Sequence, residues 1–168
     1  ATPAATGTLA QLPIGKELGL MKQTERRLEE VAREVHPDII HAHSPVLNAL
    51  PAIKVARQLG IPVVYEIRAF WEDAAVDHGS TTEGSLRYRA TRRLETRAIQ
   101  HADHVFTICE GLRADILARG IPADKVTVIP NAVDTASFKL ASPPDPILRQ
   151  KLGLTGKTVI GFVGSFYA

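Results

Sequence analysis

Asp38-Ile39-Ile40-His41-Ala42-His43-Ser44-Pro45 is a short apolar run that ends in polar residues, bounded by Pro37 and Pro45. Such a run between turn signals reads as a buried strand. His41 and His43 alternate with Ala42, so both imidazoles belong to one face of it. Outward from this strand, Val46 to Leu59 carries Leu47, Leu50, Ile53, Val55 and Leu59 at helical spacing, closed by Gly60. Pro51 is expected in the first turn or so of that helix, where a missing N–H is tolerated. Val63-Val64-Tyr65-Glu66-Ile67 is a second β-rich run. Strand, helix, glycine turn and strand make a βαβ unit with parallel strands. In open parallel sheets the carboxyl ends of the strands border the crevice where ligands bind.

The same alternation continues. A helix is expected from about Met21 to Val35, ended by His36-Pro37, with residues 1–20 as a flexible tail. Arg68 to Thr82 mixes Trp71 with many charges and reads as a long loop, of the kind that carries function. A helix from about Glu83 to Ala102 follows, then a strand over 104–109, a helix over 110–119 and a strand over 126–130. Asn131 and Asp134 turn the chain, and residues 136–146 form a Pro-rich linker. A helix from about Ile147 to Leu152 leads to a fifth strand over 158–164, read as the start of a second domain. The fold class is therefore α/β, a Rossmann-like parallel sheet flanked by helices.

Composition bounds the function. With 45% hydrophobic and 23% charged residues the chain is globular rather than disordered. A net charge of +2 is too small to argue for nucleic acid. Cys109 is the sole cysteine, which excludes an intramolecular disulfide and suits a reducing compartment. No apolar run reaches the length of a membrane span. The opening Ala-Thr-Pro-Ala-Ala-Thr-Gly-Thr lacks an initiator Met and the order of a signal peptide, so we expect a fragment of a longer protein.

Four segments resemble the group 1, or family 4, glycosyltransferases of the GT-B fold. They are Asp-Ile-Ile-His-Ala-His-Ser-Pro, Ala-Asp-His-Val-Phe-Thr-Ile-Cys, Lys-Val-Thr-Val-Ile-Pro-Asn-Ala-Val-Asp and the closing Ile-Gly-Phe-Val-Gly-Ser. Tyr-Glu-Ile-Arg-Ala-Phe-Trp-Glu-Asp is similar to a bacterial exopolysaccharide-type branch. The resemblance implies two Rossmann-like domains facing a cleft. Residues 21–135 would be the second half of the N-terminal, acceptor-side domain and 147–168 the start of the donor-side domain. It implies transfer of a hexose-type sugar from a nucleotide-sugar donor to a saccharide or lipid-linked acceptor, with retention and without an obligatory metal or other cofactor. The main donor-site residues would lie outside this chain, leaving the fragment alone inactive and its catalytic residues unassigned. A cytoplasmic location, peripheral to the inner membrane, would follow. The rival reading is a non-catalytic Rossmann-like binding or interaction module, because fold does not specify function.

The candidate acceptor-side walls are His43, Ser44, Arg68, Trp71, Glu72 and Asp73. Many family members carry a histidine near the donor sugar six residues after the proline of the Gly-x-Pro turn, and here Arg68 occupies that place. Its planar fork of donors can hold a sugar hydroxyl or an anion, whereas a salt bridge to Glu66 or Glu72 would only shape the loop. Trp71 suits a sugar platform or packing on the next helix. A metal at His41 and His43 needs a third ligand, and no residue is spaced to supply one, so no metal is expected. Five arginines between Arg87 and Arg97 could meet an anionic membrane surface, although a solvated face is the simpler reading. A sheet edge left open would favour homo-oligomers.

Overall fold

The computed structural model describes residues 13–137, 145–162 and 164. One compact unit ends at Pro130, and a second begins at Asn131. In the first unit, α1 (Pro13–Val35), β1 (Ile40–His43), α2 (Val46–Leu59), β2 (Val63–Ile67), α3 (Trp71–Asp77), α4 (Leu86–His101), β3 (His104–Thr107), α5 (Glu110–Ala118) and β4 (Val126–Val128) follow in order. The four strands form a parallel sheet in the order β1-β2-β3-β4.

A sheet that grows in one direction through right-handed crossovers collects its helices on one face. Burial alternates accordingly. Ile40, Ala42, Val63, Tyr65, Ile67, Val105 and Val126 are buried with Val55, Ile99 and Ile116 of the helices. Each fully buried isoleucine of this layer contributes about 1.5–3 kcal/mol of transfer free energy. The other face carries His41, His43, Val64, Glu66, His104, Phe106 and Thr127, all half-buried or exposed.

Local chemistry explains the element ends. Gly60, at φ +69°, closes α2 in the left-handed region. The Ser85 hydroxyl caps α4 by accepting from the Tyr88 N–H at 3.2 Å. Asp103 extends the β2–β3 ladder, since its carboxylate accepts from the Val63 N–H at 2.7 Å.

Several expectations are corrected. Residues 13–20 belong to α1 rather than to a tail. Leu18 and Leu20 there are exposed, so no buried stripe marked the helix. Pro51 stands at the sixth residue of α2, beyond the first turn, and removes the interior N–H that would reach Leu47. The expected loop 68–82 contains α3. In the second unit, α6 (Pro146–Lys151) starts at an Asp145 cap, whose carboxylate accepts from the Ile147 N–H at 2.9 Å. The described residues of 158–164 form no strand, and Ile160 and Phe162 are exposed. Apolar β-forming residues make a strand only within a hydrogen-bonded ladder, which local sequence does not specify. Most of the Pro-rich linker, residues 138–144, lies outside the described residues.

Candidate functional site

The carboxyl ends of β1 and β2 meet at Glu66. The parallel register sets His43 opposite Glu66, one residue pair beyond Ala42 and Tyr65. Both β1 histidines face its carboxylate: His41 Nε2 lies 3.1 Å and His43 Nδ1 3.6 Å from Oε2. Their rings stack at 4.4 Å between centroids. The other carboxylate oxygen, Oε1, accepts from Arg68 Nη1 at 2.9 Å. The Ser44 hydroxyl accepts from the Arg68 backbone N–H at 3.4 Å, closing the ring of contacts.

Partial burial works to raise the Glu66 pKa, but the Arg68 hydrogen bond and the charges of His43 and His41 outweigh it. The carboxyl is therefore held below the usual range and carries its charge at neutral pH. The arrangement is a solvent-facing cluster of donors and one anion, suited to binding oxygen-rich ligands.

The structure brings together His43, Ser44 and Arg68 from the sequence reading, and adds His41 and Glu66. Glu66 was weighed there as an ion-pair partner for Arg68 and, with Glu72 and Asp73, as a residue that could take part of the usual histidine's role, but not as the residue both histidines face. Its signal was the strand pairing, which sequence spacing does not display. Arg68 does make the Glu66 bridge that was weighed as the loop-shaping alternative. Trp71 opens α3 with half its surface exposed, and Asp73 accepts a hydrogen bond from the Tyr88 hydroxyl at 2.9 Å.

Glu72 is a correction. It is 1% exposed and points into the helix layer, where Arg119 Nη1 lies 2.9 Å from Oε1. A residue sealed there cannot form a cleft wall. Period 3.6 turns adjacent residues about 100° apart, so Trp71 and Asp73 face solvent while Glu72 faces the core. Arg119 also bonds Asp115 through Nε at 2.8 Å, and its guanidinium lies 3.8 Å from the Phe70 ring centroid. A recess of about 350 Å³, lined by Ala32, Arg33, His36, Pro37, Leu59 and Ile61, lies at the opposite, amino-terminal end of the strands, away from this chemistry.

The sequence model of Glycosyltransferase Family 4 matches residues 4–137. The chain belongs to glycosyltransferase family 4. It is 27% identical over 138 residues to a GDP-mannose-dependent alpha-mannosyltransferase of Mycobacterium tuberculosis, covering 82% of this chain and 35% of that protein. It is 34% identical over 82 residues to the alpha-maltose-1-phosphate synthase of Mycolicibacterium smegmatis, covering 46% and 21% respectively. Among solved structures, Anabaena HepE in complex with UDP-glucose aligns with a TM-score of 0.58 at 20% identity, over 86% of this chain and 35% of that one. S. aureus MnaA with UDP aligns at 0.52 and 15% identity, over 88% and 35%. These structural likenesses establish the α/β fold. The chain spans about a third or less of the length of these relatives. Among the described residues, no helix is long and apolar enough to cross a membrane.

Proposed function

We propose that this chain is the acceptor-side part of a retaining glycosyltransferase that moves a hexose-type sugar from a nucleotide-sugar donor to a saccharide or lipid-linked acceptor in cell-surface polysaccharide synthesis. The observation that carries the reading is the cluster of His43, Ser44, Glu66 and Arg68 at the carboxyl edge of β1 and β2. That edge is where open α/β sheets receive ligands. The mannosyltransferase relative, named for its GDP-mannose dependence, supports a nucleotide-sugar donor for the family 4 parent.

In this reading Arg68 and His43 hold acceptor hydroxyls, Trp71 and Asp73 border the cleft, and the donor diphosphate is bound by residues of the parent beyond this chain. Four of the helix arginines, Arg87, Arg89, Arg93 and Arg97, are exposed and suit peripheral contact with an anionic cytoplasmic membrane surface. The test is to assay the full-length parent against a panel of nucleotide sugars, with and without Arg68→Ala. Sugar transfer from one donor class, weakened by the substitution, is expected. Absence of transfer from every donor to saccharide and lipid-linked acceptors would overturn the proposal.

A further inference from the structure

We propose that His41, His43 and Glu66 form a binding site for one divalent ion of the zinc class. The donors come from two neighbouring strands, and the ligand atoms, one from each residue, lie within 4.8 Å of one another. Two imidazoles and one carboxylate are the mixed nitrogen and oxygen set that zinc and cobalt(II) accept. Ligands about 2.1 Å from a tetrahedral ion stand about 3.4 Å apart. The Glu66 oxygen already lies 3.1 Å from His41 Nε2 and 3.6 Å from His43 Nδ1. The third pair, between the two imidazoles, lies within 4.8 Å, and both side chains are exposed enough for ring rotation to bring it toward that spacing.

The surroundings suit such an ion. Zinc-bound carboxylates are characteristically held by a further hydrogen bond that orients them. Arg68 supplies it through Nη1 to Oε1 of Glu66, while the histidines approach Oε2. Phe106 packs its ring against His41 edge-on, with centroids 6.3 Å apart, and limits the directions that imidazole can take. Three protein ligands leave the fourth position to water or to a ligand oxygen, as in open zinc sites. That position is at the carboxyl edge of the sheet, where an oxygen-rich ligand is expected. The inference stands apart from the glycosyltransferase reading, because metal binding is measured without turnover.

The experiment uses the purified chain, prepared without a polyhistidine tag and stripped with chelator. Zn²⁺ is titrated by calorimetry and Co²⁺ by visible absorption. One equivalent of Zn²⁺ should bind, and Co²⁺ should develop the intense bands of a tetrahedral site. His41→Ala, His43→Ala and Glu66→Gln should each weaken Zn²⁺ binding by about tenfold or more. His101→Ala, on the distal end of α4, and Cys109→Ser should leave it unchanged. Because Glu66 is partly buried, circular dichroism confirms that its variant folds, and the two exposed histidines carry the test if it does not. No saturable binding, affinity unaltered in the His41→Ala/His43→Ala double variant, or loss in Cys109→Ser would each overturn the site.

Discussion

Tyr65 on β2 donates its hydroxyl hydrogen to the Glu95 carboxylate on α4, and both side chains are sealed in the core. Burial pushes the Glu95 carboxyl up to about 7, aided by the nearby Glu72 charge and opposed by Tyr65, Arg119 and the Val46 N–H at the start of α2. The Tyr65 hydroxyl is raised too, by burial first and then by Glu95. In the unfolded chain Glu95 loses its proton near pH 4.5, whereas the folded chain keeps it to about 7. Between those values the folded state binds more protons, so its stability falls as pH rises. The decline should total about 3 kcal/mol and level off above neutrality. Glu95→Gln should abolish the slope, as read from urea midpoints between pH 5 and about 8. An equal slope in that variant would assign it to other groups.

Arg119 is enclosed with its side chain 2% exposed, and Glu72 and Asp115 are its counter-charges. Removing one partner of a buried pair leaves an uncompensated charge, at a cost of about 3–5 kcal/mol. Arg119→Ala should therefore unfold the chain or lower its urea midpoint by that equivalent. Arg119→Ala combined with Glu72→Gln should recover much of the loss. A double variant no better than the single one would mean that packing against Phe70, rather than charge, dominates.

Arg68 and Glu66 form a pair whose side chains are 50% and 17% exposed. Solvent screens such a bridge, and its loss should shift stability by about 1 kcal/mol at most. If Arg68 holds an acceptor hydroxyl as proposed, Arg68→Ala in the full-length protein should lower kcat/KM for sugar transfer at least about tenfold, equivalent to about 1.4 kcal/mol. Destabilisation with unaltered kinetics would instead make the arginine a loop-shaping residue.

Gly60 holds φ +69° at the end of α2, with open space where a Cβ would stand. Gly60→Ala thus tests conformation alone. It should destabilise by about 1 kcal/mol, measurable as a lower melting temperature without altered spectra.

β1 and β4 are the two edges of the described sheet. Open edges present unpaired backbone groups that recruit other strands. Light scattering at rising concentration should show dimers or larger species of this chain. A monomer throughout would show that the edges are protected.

Much of the fold was readable in residue order. Gly60 and the alternation of Val63 to Ile67 mark α2 and β2 within a residue, because glycine closures and period-2 burial are local properties. The start of α1 was not readable, since its exposed leucines leave no periodic stripe. The segment from Thr158 shows the converse, because apolar β-formers make a strand only where a ladder partner stands beside them. His43, Ser44 and Arg68 were legible as neighbours of strand ends. Glu72 was misplaced, because α3 turns it inward toward an arginine 47 positions away.

The alternating order of strands and helices, the parallel pairing and the polar strand ends follow from the chain's own chemistry, because they rest on periodicity, turns and crossover handedness. Which charges face each other does not. Glu66 meets His41 and His43 across 25 and 23 residues, and Tyr65 meets Glu95 across 30. Those meetings depend on strand register and on helices packing over one face, where long-range burial selects partners that local spacing cannot encode.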